Sequence, residues 1–412
     1  MRPVAPQPTT SSAVEARRST LYFPRWAPTA RSLPVPDRVR VGVLGLGAVA
    51  QAVHLPLLDR LADRFEIAAI ADLSPGLVQV IGERYRVAPT GRSTGLDGLL
   101  SSPDIDALMI LTSGSHGDAI TAGLDRGVAV FAEKPLAWTL GEADAVAARL
   151  AADERSRLQV GYMKLYDPAV VEGLAAADVG RVGPIRSIEV RVLHPTSESQ
   201  LAHARLLPPP TDIPPERIAR LRDEGDRLQE VAVGPAAATL GRLYSNIVLG
   251  SIVHELALIR AFAGDPVAID AVDVWPDEVW PPSVSIDGRL AAGGRFAIRW
   301  HFLPDYPAYR EEVRVITEQS SIELEFPSPY LLHAPTDLHV VELAGGGRRD
   351  TRYRAVAEAF EEELLAFHRL VADGTAPKAG IVEGRADIVT SQRIIARRAA
   401  QTGLPVEIEA PA

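Results

Sequence analysis

Glu133-Lys134-Pro135 places a charged pair between Phe131-Ala132 and Leu136, a position that is costly to bury without a ligand or partner. Of 43 lysines and arginines, only Lys134, Lys164 and Lys378 are lysine. In so arginine-biased a chain, each lysine is a candidate for work that arginine cannot do. A compact ammonium with a tunable pKa can hold a hydroxyl or carbonyl and pass a proton. The Lys134-Pro135 bond can fix the turn geometry and is a candidate for the cis form. A salt-bridged strand end would account for the same residues without catalysis.

A second constellation lies upstream. The β-branched run Val39-Arg40-Val41-Gly42-Val43-Leu44 stops at Gly45-Leu46-Gly47-Ala48-Val49-Ala50, after which the pattern turns helical. This is the strand, glycine turn and helix start of a dinucleotide-binding βαβ unit in its G-x-G-x-x-A form. Gly45 permits the tight turn, Gly47 lets backbone approach a pyrophosphate, and Ala50 keeps helix and strand close. The helix N-terminus, from Ala48 and Val49, offers N–H groups to phosphate. The next strand, Phe65 to Asp72, ends in an acid 22 residues beyond Ala50. Asp72 can accept hydrogen bonds from both adenosine ribose hydroxyls and would repel a 2′-phosphate. Leu73 and Ser74 follow with no arginine, so NAD(H) is expected in preference to NADP(H). A surface aspartate at a strand end is the plainer alternative.

The elements around these residues alternate. Strands at Ala107 to Thr112, Val128 to Ala132 and Leu158 to Gly161 are separated by helices at Asp118 to Arg126 and Leu140 to Asp153. The expected fold is α/β, with a doubly wound parallel sheet over residues 38–161. Glu133-Lys134-Pro135 then falls at the carboxyl end of a parallel strand, where such sheets bind ligands.

Beyond a helix near Pro168 to Ala177, strands dominate. They are Ile185 to Leu193, Ala268 to Val274, Ser283 to Leu290, Arg295 to Phe302, Glu312 to Thr317, Ser321 to Phe326 and Leu338 to Leu343. Gly293-Gly294 and Gln319-Ser320 stand where hairpin turns would. Residues 162–412 are therefore expected to form an α+β domain with an open, mostly antiparallel sheet and helices on one face. Helices at Ala355 to Ala372 and Ile381 to Thr402 close the chain. A sheet with one face to cover predicts a homodimer or homotetramer. A polar, proline-rich insertion at about 204–235 could be a lid or a surface embellishment.

Composition sets bounds. A net charge of −10 argues against a nucleic-acid partner. No apolar run is read as long enough to span a bilayer, so no membrane partner is expected. The chain has no cysteine, which excludes disulfides and thiolate metal sites and allows a reducing compartment. Residues 1–37 are proline-rich and aperiodic, a disordered arm or a strap across a neighbouring subunit. Arg17-Arg18 lacks the apolar stretch of an export signal, so a cytoplasmic location is expected.

The ordered set VGVLGLGAVAQAVHLPLL, IADLSP, LTSGSHGDAITAGLDRGVAVFAEKPLA, VGYMKLYDP and GSIVHELALIRAFAG resembles the glucose–fructose oxidoreductase / inositol dehydrogenase / rhizopine-catabolism (Gfo/Idh/MocA) family. The resemblance runs over roughly residues 38 to 405. It implies an N-terminal Rossmann domain, a C-terminal domain with an open antiparallel sheet, and NAD(P)-linked chemistry at a secondary alcohol of a sugar or cyclitol. It also implies that Glu133 and Lys134 meet the cofactor, with Lys134 reaching the nicotinamide ribose and substrate. By the same resemblance Thr112, Ser113 and His116 skirt the cofactor, and Tyr162 and Lys164 face the substrate.

His254 is the most consequential match. The family pattern D-x-x-x-H would place an aspartate one turn earlier, where this chain has Gly250. On a helix Asn246, Gly250 and His254 share a face. Asn246 could supply a hydrogen bond but no charge, and Glu255 is turned away by about 100°. His254 is a candidate general acid or base, with a purely structural histidine as the alternative. His194, His203, His301, His333, His339 and His368 show no metal-ligand spacing and are read as structural or surface residues, and no metal is expected. Arg191, Arg205 and Arg242 could meet an anionic group. Three functions fit: an NAD(H)-dependent oxidoreductase for a small polar substrate; an enzyme with tightly held NAD and no net redox change; an inert ligand-binding regulator.

Overall fold

The computed structural model describes residues 38–102, 105–150, 157–276 and 278–411. The expected N-terminal arm, 1–37, lies outside them.

Six strands form one parallel sheet: β1 (Val39–Leu44), β2 (Phe65–Ala71), β3 (Arg92–Ser93), β4 (Ala107–Ile110), β5 (Ala129–Glu133) and β6 (Leu158–Gly161), in the order β3-β2-β1-β4-β5-β6. That is the doubly wound order, and the winding reverses between β1 and β4 beside the glycine turn. Ala107 to Ile110 and Leu158 to Gly161 are buried throughout, because helices cover both faces. Helix starts are fixed locally: Ser74 caps Pro75–Arg84, and Thr139 with Glu142 forms a reciprocal capping box on Leu140–Arg149.

The second sheet has eight strands: β7 (Ile185–His194), β8 (Pro266–Trp275), β9 (Ser283–Leu290), β10 (Arg295–Phe302), β11 (Arg310–Thr317), β12 (Ser320–Phe326), β13 (Asp337–Ala344) and β14 (Gly347–Arg354). Their order is β14-β13-β12-β11-β7-β10-β9-β8, antiparallel except where β7 meets β10. Helices Pro168–Ala176, Val253–Ala263 and Ile381–Thr402 pack on one face. The other face carries cross-strand ion pairs such as Arg191–Glu312 and Arg314–Glu323. This exposed face is charged rather than apolar, so no hydrophobic stripe demands cover.

Several expectations need correction. β14, Gly-Arg-Arg-Asp-Thr-Arg-Tyr-Arg, has no apolar alternation because it is an exposed edge. It pairs with β13 through Gly345-Gly346, whose φ values of 58° and 79° suit a two-residue hairpin. The turn expected at Gln319-Ser320 falls one residue earlier, with Ser320 already opening β12. The closing helix expected from Ala355 begins at Ala359. The helical run Pro215–Ala263 is long and apolar enough to cross a membrane by length and composition, contrary to the sequence reading. More than half of its most apolar stretch is buried inside the fold.

Candidate functional site

Gly45 has φ +91°, and a Cβ there would lie 2.8 Å from the Thr112 nitrogen and 2.9 Å from the Leu111 carbonyl carbon. Only glycine fits that turn. Its N–H donates to the Ala71 carbonyl at 2.8 Å, tying the ends of β1 and β2 together. Gly47 faces open space, with nothing within 4 Å of a built Cβ. Ala48 and Val49 begin the following helix, Ala50 is fully buried, and Ala50–His54 winds as a π-helical turn. Asp72 accepts the Leu46 N–H at 2.8 Å and the Ser74 N–H at 3.0 Å, so its carboxylate is anchored to the glycine turn. An open glycine cradle with a fixed acid at the next strand end fits a dinucleotide.

The cleft continues as a cavity of about 390 Å³, lined by Val49, Thr112, Ser113, Glu133, Lys134, Asn246, Gly250 and His254 among others. A second compartment of about 360 Å³ shares Lys134, Asn246, Gly250 and His254 and adds Lys164. Its wall is aromatic, from His194, Trp280, Trp300, Phe302, Tyr309 and Tyr330, with Ser197 and Gln200 as polar groups.

Lys134 follows β5 at a cis bond to Pro135, and its ammonium donates to the Gly250 carbonyl. Burial lowers its pKa, opposed by the charges of Glu133 and Glu255 and assisted by Lys164. Glu133 accepts a bond from His54 Nε2 at 2.8 Å and one from the Lys134 N–H at 3.2 Å. Burial works against its charge, but the bond from His54 and the charges of His54 and Lys134 hold its pKa below the usual value.

Leu243–Ile252 winds as a π-helix leading into Val253–Ala263 and brings Asn246, Gly250 and His254 to the cavity wall. Asn246 accepts the Ser245 hydroxyl at 2.9 Å. His254 Nδ1 is buried without a hydrogen-bond partner among the described residues. Burial, then Lys134 and Lys164, hold the imidazole pKa well below its usual value, so the ring is neutral. The missing acid at 250 therefore leaves a neutral histidine beside a lysine seated on backbone.

Lys164 lines the second compartment, with Nζ 2.5 Å from Glu311 and 3.2 Å from Glu255. Burial opposes its charge, but Glu311 and Glu255 outweigh that and raise its pKa. Burial pushes Glu255 up to about 7, Lys164 partly offsetting it.

Two expected site residues stand elsewhere. Tyr162 is buried behind His254, edge to face at 6.4 Å, with its hydroxyl donating to Asp387, which also takes Arg260. It braces the wall and does not line the cavity. His116 is likewise buried, each ring nitrogen 2.8 Å from a carbonyl, of Thr112 and of Pro135. It ties the cofactor loop to the Glu133-Lys134-Pro135 turn. Arg191 is on the far sheet face, paired with Glu312, while Arg242 stacks over Trp280, 4.1 Å from its centroid.

His54 was missed, as were His194 and the aromatic wall. His194, read as structural or surface, packs 5.2 Å from Trp300 inside the second compartment. Trp300 donates to Ser251 at 3.0 Å. The available signal was the run Trp300-His301-Phe302 closing β10.

The doubly wound parallel sheet, the open glycine turn and the fixed acid at the next strand end are those of a dinucleotide-binding Rossmann fold. Residues 39–162 match the model of the Gfo/Idh/MocA oxidoreductase family, NAD-binding Rossmann fold. Inositol 2-dehydrogenase 3 of Saccharopolyspora erythraea is 31% identical over 148 residues, 35% of this chain and 42% of the relative. Inositol 2-dehydrogenase of Acidothermus cellulolyticus is 27% identical over 240 residues, 56% of this chain and 65% of the relative. The matched stretches thus span less than two thirds of those relatives. In fold, aldose-aldose oxidoreductase from Caulobacter crescentus superposes with TM-score 0.63 at 17% identity, over 90% of this chain and 99% of that one. UDP-N-acetylglucosamine 3-dehydrogenase from Acidithiobacillus ferrooxidans gives 0.62 at 18%, over 87% and 97%.

Proposed function

We propose that the protein is an NAD(H)-dependent oxidoreductase acting on a secondary alcohol or ketone of a sugar, cyclitol or related small polar substrate. The observation that carries this is the convergence of Lys134 and His254 where the glycine-turn cleft opens into the aromatic compartment. Gly45, Gly47, Ala48, Val49, Ala50, Asp72, Thr112 and Ser113 would hold the dinucleotide, which when bound supplies or accepts the hydride. Lys134 holds the substrate oxygen and passes its proton; burial lowers its pKa and so eases that transfer. Neutral His254 orients the same oxygen by a hydrogen bond. Aromatic faces of Trp300, Phe302 and Tyr309 suit the C–H faces of a ring, and Asn246, Ser197 and Gln200 suit its hydroxyls. NAD(H) over NADP(H) is favoured by Asp72 and by the absence of arginine at Leu73 and Ser74. Assembly through the eight-stranded sheet belongs to this reading, its exposed face offering both charge signs to a second copy.

The test mixes purified protein with NAD⁺ and a panel of inositols and aldoses, following the absorbance of the reduced nicotinamide. Stoichiometric reduction that Lys134→Met abolishes supports the proposal. Product formed with no net coenzyme change, on nicotinamide that co-purifies, replaces it with the non-redox reading. Ligand binding without conversion, unaffected by Lys134→Met, replaces it with the regulatory one.

A further inference from the structure

The insertion crosses the coenzyme edge of the parallel sheet. The Leu207 N–H donates to Gln51 Oε1 at 2.9 Å, just after the glycine turn, and Leu206 and Leu207 pack against the apolar cluster beneath it. Arg217 then reaches the Thr94 carbonyl at 2.7 Å. Between these points Asp212 lands at the start of helix Pro75–Arg84. Its Oδ1 takes the Ser74 hydroxyl at 2.5 Å and its Oδ2 takes the Gly76 N–H at 2.7 Å.

The same Ser74 gives its N–H to Asp72, so two carboxylates meet on one residue, one from each end of the ribose corner. Gly76 makes the approach possible: a Cβ there would stand 2.9 Å from Asp212 Oδ2. A serine hydroxyl, a backbone N–H and a helix N-terminus are what an incoming phosphate dianion would use. Here an internal carboxylate already holds all three. Those bonds hold Asp212 below the usual carboxylate range, so it is ionised at neutral pH.

We propose that Asp212 is a coenzyme-specificity residue, carried in by the insertion, that occupies the donors a ribose 2′-phosphate would need and repels it. Asp72 selects ribose hydroxyls directly, and Asp212 closes the alternative. The inference rests on the NAD(H) reading and extends it to a residue 140 positions downstream of Asp72.

The test is calorimetric titration of the full chain with NADH and NADPH, comparing wild type with Asp212→Ala, Gly76→Ala and Arg217→Ala. Asp212→Ala and Gly76→Ala should each shift the NADH/NADPH affinity ratio toward NADPH by about tenfold or more, the weight of one charge contact with its hydrogen bonds. Sulfate should compete with NADPH in Asp212→Ala. Arg217→Ala loosens the insertion without uncovering Ser74 and should leave the ratio unchanged. If Asp212→Ala binds NADH normally with an unaltered ratio, Asp212 is only a surface cap and the proposal is overturned while the coenzyme reading stands. If wild type binds neither nucleotide, the coenzyme reading itself falls, and this proposal with it.

Discussion

The Lys134 ammonium is bonded to the backbone carbonyl of Gly250, the position where the family pattern would put a carboxylate. A carbonyl oxygen accepts the hydrogen bond but brings no full negative charge, so burial dominates and the lysine pKa falls. The same missing charge leaves His254 Nδ1 without a partner among the described residues. In the proposed reaction, proton handling therefore passes to the lysine, with the histidine as a neutral hydrogen-bonding group.

Lys134→Met removes that proton carrier while keeping much of its bulk. Turnover should fall by about 10²–10⁴-fold, the ordinary worth of a positioned acid–base group. NADH affinity should change little, because Gly45, Gly47 and Asp72 hold the other end. Equal loss of both would mark Lys134 as a binding residue.

Gly250→Asp should restore the charge. A Cβ at 250 would sit 3.3 Å from the Ser245 carbonyl oxygen, which a small shift accommodates. A carboxylate there favours the protonated forms of His254 and Lys134, raising both pKa values by about one unit or more. The limbs of the pH–rate profile should move alkaline, and the imidazole NMR titration should move with them. An unchanged profile would show that neither group governs the rate.

Glu255→Gln tests the buried Lys164–Glu255–Glu311 cluster. Glu255 rises from 4.5 to about 7 on folding, so the native state binds its proton more tightly than the unfolded chain does. That contribution to stability is fully present below pH 4.5 and is lost as pH rises through about 7. The Tm difference, Glu255→Gln minus wild type, should therefore grow more favourable to the variant between those limits. A flat difference across the window rules out the shift.

Gly45→Ala forces a side chain into a left-handed turn and against the Thr112 backbone. The strain should cost about 1–3 kcal/mol and lower Tm, with coenzyme binding lost first. Thermal melts with and without NADH separate the two effects.

Tyr162→Phe removes the donor from the buried Asp387 carboxylate at a residue that does not itself line the cavity. It should destabilise the protein by about 1–3 kcal/mol and leave KM unaltered. A raised KM with normal stability would return Tyr162 to the substrate site.

What could be read from the chain followed local rules. β9 and β10 fall at Ser283–Leu290 and Arg295–Phe302 as their alternation demands, and Gly45 and Gly47 form the turn that their spacing implies. β14 escaped because an exposed edge strand has no apolar period to detect. Tyr162 was misplaced because lying next to a motif in sequence does not decide which way a side chain turns.

The sequence by itself determined the dinucleotide cradle, the order of the two sheets and the absence of an acid at position 250, since these depend on residue type and short-range period. Only the tertiary structure decided that Lys134 meets a carbonyl 116 residues away, that His194 and Trp300 wall the second compartment, and that Asp212 reaches Ser74 across 138 residues. Those pairings arise from how sheets, helices and an insertion pack. Charge and hydrogen-bonding capacity can be read at each residue, but the partner that satisfies them is chosen by the fold.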